Sequence, residues 1–150
     1  MKAITLTQPW ASLVACGAKR IETRGWRTNY DGRIAIHAAK GFPGEARRLC
    51  EARMVREALG IPQGVKVAST LPVGAVIATV EVIKCMSTEM VSGLAPGASI
   101  HSHGLEWIIS PQELAFGNYD PGRWAWLLAD VKTFDPQPAK GALSLWEWNR

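Results

Sequence analysis

The sequence predicts an α+β fold: a small, strongly bent mixed sheet or β-barrel of five or six strands with two or three flanking short helices. Three observations indicate this fold. Most apolar segments alternate with a period of two and are bounded by turn residues. Only residues 45–59 show convincing helical periodicity. The regular strand–helix alternation of a doubly wound parallel sheet is missing.

Length and composition narrow the class of protein. The chain has 150 residues, so we expect one domain over residues 1–150. Apolar runs stay below the ~18 residues of a membrane span, and we expect no membrane contact. Cys16, Cys50 and Cys85 are odd in number and far apart, which favours reduced thiols and a cytoplasmic location. The net charge of +4 favours an acidic partner.

The first third of the chain predicts two strands around a short helix. Residues 2–6 alternate as a half-buried strand, and residues 33–38 form a second strand after the Asp31-Gly32 turn. Between them, Pro9 in the first turn and Gly17 at the end predict a helix over 9–16, capped by Thr7 or Gln8. The charged residues 18–24 then leave the helix end, at the rim of a cleft.

The amphipathic helix over 45–59 is predicted to bury one apolar face and to end at Gly60. Its buried face comprises Leu49, Ala52, Val55 and Leu59. Its arginines are interpreted as a solvated face because glutamates offset them, and they are Arg47, Arg48, Arg53 and Arg56.

The second half predicts a central strand, a long loop, a short helix and two late strands. After a connector, the strand at 73–85 carries apolar residues on both faces, and 86–103 is predicted as a loop. Ser110 and Glu113 have the spacing of a capping box, which predicts a helix that Gly117 ends. The late strands, separated by Pro136 and Pro138, are expected at 123–132 and 143–148.

The segment Lys19–Arg24 is the strongest candidate for a functional site. It is rich in charge, and Trp10 precedes it while Trp26 follows it. Lysine and arginine bind phosphate, and indole rings stack on bases, so a nucleotide is the partner that this combination fits. Lys19 and Glu22 converge only if the chain is still turning here, and the alternative is a surface salt bridge.

Further candidates lie outside this segment. Glu81 interrupts the apolar central strand, so it faces either a cleft or solvent. Trp124 and Trp126 share a strand face, and at least one of them is expected in the core. Neither a zinc-ligand spacing, a phosphate loop nor a dinucleotide fingerprint is present, so we expect no metal and no cofactor. The residues weighed for zinc were His37, His101, His103 and Cys85.

Taken together, three motifs resemble the ASCH domain family of the PUA-like superfamily. They are Gln8-Pro9-Trp10-Ala11-Ser12-Leu13, then GxKxxExR over Gly17–Arg24, then GRIAIHAAK over Gly32–Lys40. The resemblance extends to the central strand at 74–81 and to Trp124-Ala125-Trp126 with Pro138-x-x-Gly141. It implies a PUA-like β-barrel whose cleft is lined by the GxKxxExR segment.

The resemblance also implies a function, because such domains are generally regarded as RNA-binding modules. Lys19, Glu22 and Arg24 would line the site, with Trp10, Arg33 and Glu81 nearby. Single-stranded RNA, a nucleotide or a nucleoside would be the partner, stacked on Trp10 or Trp26. Its phosphates would contact Arg20, Arg24, Arg27 and Arg33.

Two alternatives stay open. Some single-domain relatives look like amidohydrolases of N4-acylcytidine, using a lysine, a threonine three residues on and a central-strand glutamate, and others are described as ribonucleases. Lys19 and Glu81 match that lysine and glutamate; Glu22 stands in the threonine's place, with Thr23 adjacent. The catalytic residues would then be Lys19, Glu22 and Glu81. A protein–protein adaptor is the third functional hypothesis.

Overall fold

The computed structural model of the chain describes all of residues 1–150. It contains eight strands: β1 (Lys2–Leu6), β2 (Ile21–Arg24), β3 (Gly32–Ala38), β4 (Ala75–Ser87), β5 (Ser99–Ser102), β6 (Leu105–Ile108), β7 (Trp124–Pro138) and β8 (Leu145–Glu147). Its five short α-helices are α1 (Trp10–Ala15), α2 (Gly44–Cys50), α3 (Arg53–Leu59), α4 (Thr88–Ser92) and α5 (Pro111–Ala115). A single 3-10 turn covers Val67–Ser69. The α+β class is confirmed, with more helices than predicted.

Six strands form one mixed sheet in the order β2-β7-β4-β3-β1-β8, and β5 and β6 form a separate hairpin. Strand β1 runs parallel to β3, with Ile4 opposite Ile36, and antiparallel to β8, with Ile4 opposite Leu145. Strand β2 runs antiparallel to β7. The predicted number of sheet strands is confirmed. No helix is long and apolar enough to cross a membrane.

The chain forms two compact units. The first comprises residues 1–18, 33–80 and 131–150, and the second comprises residues 19–32 and 81–130. Strands β4 and β7 are long, and each supplies residues to both units.

In the first unit, the predicted strand at 2–6 and helix at 9–16 are confirmed as β1 and α1. Helix α1 buries Leu13 and Val14, and the Gln8 side chain accepts a 3.1 Å hydrogen bond from the Ser12 backbone N–H. Gly17 follows the helix with φ of 80°, the left-handed conformation that glycine adopts without steric cost. Part of this unit's core is built by Ala3, Ala35, Val76 and Trp148.

The prediction of one helix over 45–59 was wrong, because α2 ends at Cys50 and α3 begins at Arg53. Ala52 between them is extended, with φ −61° and ψ 137°. The Glu51 carboxylate stabilises the break by accepting hydrogen bonds from Arg56 Nη2 at 2.6 Å and from the Val67 backbone at 3.0 Å. The two helices therefore present different faces from those of one continuous helix.

The break also corrects the predicted burial. Leu49 and Ala52 are exposed, and Ala46, Cys50 and Val55 are buried. Arg56, which was predicted to be solvated, is buried. Its guanidinium donates to the carbonyl oxygens of Pro62 and Val65, both at 2.7 Å, so it anchors the connector that follows α3.

In the second unit, the prediction of a long loop over 86–103 was wrong. The segment holds α4 and β5, and β6 follows directly. The hairpin turns at His103 and Gly104, which have φ of 52° and 73°. Elements of four or five residues are too short to show a periodicity, which explains why the sequence pattern did not indicate them. Trp107 of β6 is buried in this unit's core.

The later elements differ from prediction mainly at their ends. Helix α5 is confirmed, and its N-cap Ser110 Oγ accepts a 3.0 Å hydrogen bond from the Glu113 N–H. The central strand is shifted to 75–87, and β7 runs through Pro136 to Pro138, where a separating loop was expected. The last strand is shortened to β8.

Candidate functional site

Lys19 and Glu22 form a buried ion pair at the start of β2. Lys19 is 1% exposed, and its Nζ lies 3.3 Å from Glu22 Oε2 and donates a hydrogen bond to the Ile21 carbonyl oxygen. The convergence that was predicted for a turning chain is present, because regular strand geometry begins only at Ile21. The contact with Ile21 is a hydrogen bond and the contact with Glu22 is an ion pair, so Lys19 holds the Glu22 carboxylate by charge.

Strands β2 and β7 place a carboxylate, a guanidinium and two indoles on one face. Glu22 lies directly opposite Trp126, and Arg24 lies directly opposite Trp124. Residues paired across an antiparallel ladder share a face, as do residues two apart on one strand. We call these four residues, with Lys19 and Trp26, the Glu22 face. It belongs entirely to the second unit.

The other face of the same ladder belongs to the core. Ile21, Ala125 and Leu127 pack there. Thr23 also projects to this side, where its Oγ1 accepts a 2.9 Å hydrogen bond from the Asn118 backbone. Thr23 is therefore separated from the Glu22 carboxylate by the sheet itself.

Trp26 packs against Trp126 at the Glu22 face. The ring centroids are 4.9 Å apart and the planes are nearly perpendicular, at 85°. The Arg24 guanidinium lies 5.8 Å from the Trp26 centroid and 3.8 Å from Glu22 Oε1. Trp126 is buried, whereas Trp26 is half-exposed. The expectation that one of Trp124 and Trp126 lies in the core is confirmed, and Trp26 presents indole surface to solvent.

Three buried polar atoms of this unit have no hydrogen-bond partner in the chain: Glu22 Oε2, Trp126 Nε1 and the Tyr119 hydroxyl. Glu22 Oε2 lies within ion-pair distance of Lys19 but receives no hydrogen bond from it. Burial raises the pKa of Tyr119, and the carboxylates of Glu113 and Glu22 raise it further. Buried polar groups are rarely left unpaired, so Glu22 Oε2 and Trp126 Nε1, which lie on one face of the ladder, mark a candidate binding site.

Glu113 anchors the candidate site and was not among the predicted site residues. Its carboxylate accepts hydrogen bonds from the Ile21 N–H at 2.8 Å and from the Arg20 N–H at 3.1 Å. Burial raises the pKa of Glu113, while these donors and the charge of Lys19 oppose the shift. The sequence marked Glu113 only as a capping-box residue, since its long-range partners leave no local pattern.

The remaining arginines of the segment each lie over an indole. The Arg20 guanidinium is 5.3 Å from the Trp107 centroid and donates to the Glu106 carbonyl oxygen at 2.7 Å. Arg27 lies 5.3 Å from the Trp124 centroid and is exposed. Such stacking holds a guanidinium in place while leaving N–H donors for other partners.

The other predicted site residues are distributed between the two units. Trp10 and Arg33 belong to the first unit, where Trp10 lines a cavity of about 610 Å³ with residues of α2, and Arg33 Nη1 donates to Thr79 Oγ1 at 2.9 Å. Glu81 is half-buried in the part of β4 that belongs to the second unit. Of the predicted site residues, only Trp10 and Arg33 therefore lie outside the second unit.

Comparison with known proteins gives a consistent match. The model of the ASCH domain family matches residues 4–138 of the chain. Human activating signal cointegrator 1 is 33% identical over 116 residues, and the mouse protein is 31% identical over 113 residues. Each match covers 74% of this chain but 19% of the relative, so the chain spans about a fifth of the length of these proteins.

Proposed function

The chain belongs to the ASCH domain family, and we propose that it binds single-stranded RNA or a nucleotide through the Glu22 face. ASCH domains resemble RNA-binding modules of the PUA-like superfamily. The observations from this chain that support the proposal are the edge-on packing of Trp26 against Trp126, the exposed Arg27 and the unpaired buried polar atoms. The proposal concerns this domain and not the whole of the longer relatives.

The observation that carries the proposal is the pair of unsatisfied atoms on the Glu22 face. Glu22 Oε2 is an acceptor, Trp126 Nε1–H is a donor, and the two residues are directly opposite each other on β2 and β7. Every nucleobase offers an N–H donor beside a carbonyl or ring-nitrogen acceptor. A base edge can therefore supply both missing partners at once.

Because both atoms are buried, a base reaches them only if a neighbouring side chain moves. Trp26 is the candidate, since it packs edge-on against Trp126, is half-exposed and follows Gly25. We expect Trp26 to turn away from Trp126 and to stack on the entering base. Arg20, Arg24 and Arg27 would contact the phosphates of the strand, and Trp10 and Arg33 of the first unit are proposed as additional contacts.

The test is binding of fluorescent single-stranded oligoribonucleotides, measured by anisotropy. Stacking on an aromatic side chain contributes about 1–3 kcal/mol per base, so Trp26→Ala should weaken binding roughly fivefold to a hundredfold. Lys19→Ala should weaken it as well, because Glu22 loses the cation that holds it. Arg53→Gln, a change on the exposed surface of α3, is the matched control. Unchanged binding in both Trp26→Ala and Lys19→Ala would contradict the proposal.

The same samples distinguish a binding module from a hydrolase. Incubation with N4-acetylcytidine or with RNA, followed by product analysis, tests for acetate release or strand cleavage. If the wild-type protein forms product and neither Lys19→Ala nor Glu81→Gln does, the chain is a hydrolase and not a binding module. If binding occurs without product, the Glu22 face is a recognition surface.

A further inference from the structure

A cavity in the first unit differs in chemical character from the Glu22 face. It has a volume of about 950 Å³ and is lined by Thr5 of β1, His37 of β3 and the segments 39–40, 73–74 and 138–143. Its walls are aliphatic, and no aspartate or glutamate lines it. Small-molecule sites in proteins are of this size and are mostly apolar with a few polar groups.

One wall of the cavity, residues 138–143, is fixed by hydrogen bonds to the sheet. The Ala139 N–H donates to Gly74 O at 3.0 Å, His37 Nε2 lies 3.0 Å from Ala139 O, and Thr5 Oγ1 donates to Ala142 O at 3.1 Å. Gly141 packs so closely that a Cβ there would lie 2.5 Å from the His37 ring and 2.7 Å from Thr5 Oγ1. The cavity is therefore preformed.

Two ammonium groups supply the charge of this cavity. Lys40 and Lys140 line it, both are exposed, and neither has an ion-pair partner. His37 is buried, and burial lowers its pKa, so the imidazole is neutral at neutral pH and adds no charge. The His37 Nε2–H is engaged by Ala139 O, and Thr5 Oγ1 accepts the Trp146 indole N–H and donates to Ala142 O. The two lysine ammonium groups are thus the polar groups of the cavity that are available to a ligand, and an ammonium group binds an anion.

Apolar residues at the rim of the cavity indicate that the uncharged part of the ligand is aliphatic. Leu143 is 93% exposed and Val73 is 43% exposed, which places aliphatic surface in water beside the lysines. The only aromatic ring among the lining residues is the imidazole of His37, so the cavity offers a base no indole to stack on. We infer that this cavity binds a small carboxylate with an aliphatic body, its charge at Lys40 and Lys140 and its chain against Val73 and Leu143.

Octanoate is a suitable probe, and the chain contains its own reporter. Trp146 Nε1–H donates to Thr5 Oγ1 at 3.1 Å, and its ring packs edge-on against His37, with the centroids 5.6 Å apart. In a ¹H–¹⁵N correlation spectrum this indole N–H, assigned with Trp146→Phe, should move together with the amides of residues 139–143. Saturable shifts confined to these resonances are the expected result of an octanoate titration.

Variants test the two parts of the inference separately. The double variant Lys40→Gln/Lys140→Gln should weaken octanoate binding at least tenfold, whereas Lys66→Gln, an exposed lysine of the same unit, should leave it unchanged. Leu143→Ser should weaken it severalfold. Hexanol or octylamine that binds as well as octanoate would overturn the role of charge.

Two further titrations exclude other occupants. An oligoribonucleotide that shifts the Trp146 indole and displaces octanoate would show a nucleic-acid surface and overturn the inference. An acidic, leucine-containing peptide that binds much more tightly than octanoate would equally overturn it in favour of a protein partner. Because the reporter and the lysines belong to the first unit, these results are independent of RNA binding at the Glu22 face.

Discussion

Glu113 accepts a hydrogen bond from the backbone N–H of Ile21, 92 positions earlier in the chain, at 2.8 Å. The same carboxylate takes the Arg20 N–H, so one buried side chain of α5 fixes the point at which β2 begins. Strand geometry that starts at Ile21 leaves Lys19 outside the strand, and this is what allows Lys19 and Glu22 to meet.

Glu113→Ala should therefore destabilise the protein. It leaves the Ile21 N–H buried and unpaired, at a cost of about 1–3 kcal/mol in the free energy of unfolding. Urea denaturation followed by tryptophan fluorescence measures the change. Because Lys19 and Arg20 lose their fixed position, RNA affinity should fall in the same variant under conditions where it is fully folded.

The matched control is Glu89→Ala. Glu89 also lies in the first turn of a short helix and accepts a hydrogen bond from a backbone N–H, that of Gly122, but it is exposed. We expect a change within about 0.5 kcal/mol. Equal losses of stability in the two variants would count against a special role for Glu113.

Salt dependence should report how many arginines contact phosphate. For single strands, the slope of log K against log salt concentration is about −0.7 per neutralised phosphate. If Arg20, Arg24 and Arg27 each contact one, the wild-type slope is at least about −2, and Arg27→Gln should make it shallower by about 0.7. Anisotropy titrations at several salt concentrations give the slopes. A slope identical to the wild-type value would exclude Arg27 from the interface.

Stability should fall in mild acid because of His37. Burial lowers the pKa of folded His37 below the 6.5 of an unperturbed histidine. The unfolded chain then binds the proton more tightly, so the contribution of His37 is complete above pH about 6.5 and is lost as the pH falls towards the folded pKa. The loss cannot exceed about 1.4 kcal/mol per pH unit for one group.

Urea denaturation at pH 7.5 and 5.5 measures this loss. His37→Gln retains a hydrogen-bonding side chain without a proton to bind in this range, so its stability should change less between the two pH values. All other titrating groups are shared by the two proteins. A pH dependence that is the same in both would show that His37 is not the responsible group.

Gly141→Ala should destabilise the first unit by about 1–3 kcal/mol, as overpacking typically does. The added Cβ would overlap the His37 ring and Thr5 Oγ1, which are themselves held by hydrogen bonds. Gly41→Ala is the control, since a Cβ there meets nothing within 4 Å. Thermal unfolding of the two variants gives the comparison, and equal midpoints would mean that the 138–143 segment yields to the extra atom.

The elements that could be predicted from the sequence have either a sustained periodic pattern or a signal contained within a few neighbouring residues. Strands β1 and β3 alternate clearly, and Gly17 and Ser110 mark helix ends through side-chain and backbone chemistry that acts over a few residues. By contrast, the break at Ala52 depends on the Glu51 carboxylate reaching Val67, sixteen residues away. The apolar spacing of 45–59 fits a continuous helix equally well, so the pattern alone could not reveal the break.

The residues of the candidate site divide in the same way, into those that the sequence reveals and those that only tertiary contacts reveal. Lys19, Glu22 and Arg24 could be picked out because charge is concentrated in one segment beside tryptophans. At least one of Trp124 and Trp126 was expected to be buried, and Trp126 is, yet its unpaired Nε1 becomes visible only when the partners of every buried atom are known. Glu113 supports the site through hydrogen bonds to residues more than 90 positions away, which leave no periodic trace in the sequence.

The hairpin of β5 and β6 determines the position of one cationic side chain, that of Arg20. Its second strand holds Arg20 from two sides, through the Glu106 carbonyl oxygen and the Trp107 ring. The turn at His103 and Gly104 is exposed and has no part in these contacts. Substitutions at the exposed positions of β6 can therefore change the position of the Arg20 guanidinium. The Lys19–Glu22 pair stays in place, because Glu113 fixes the start of β2. If the Glu22 face binds RNA as proposed, such substitutions alter a phosphate contact and leave the contacts to the base edge in place.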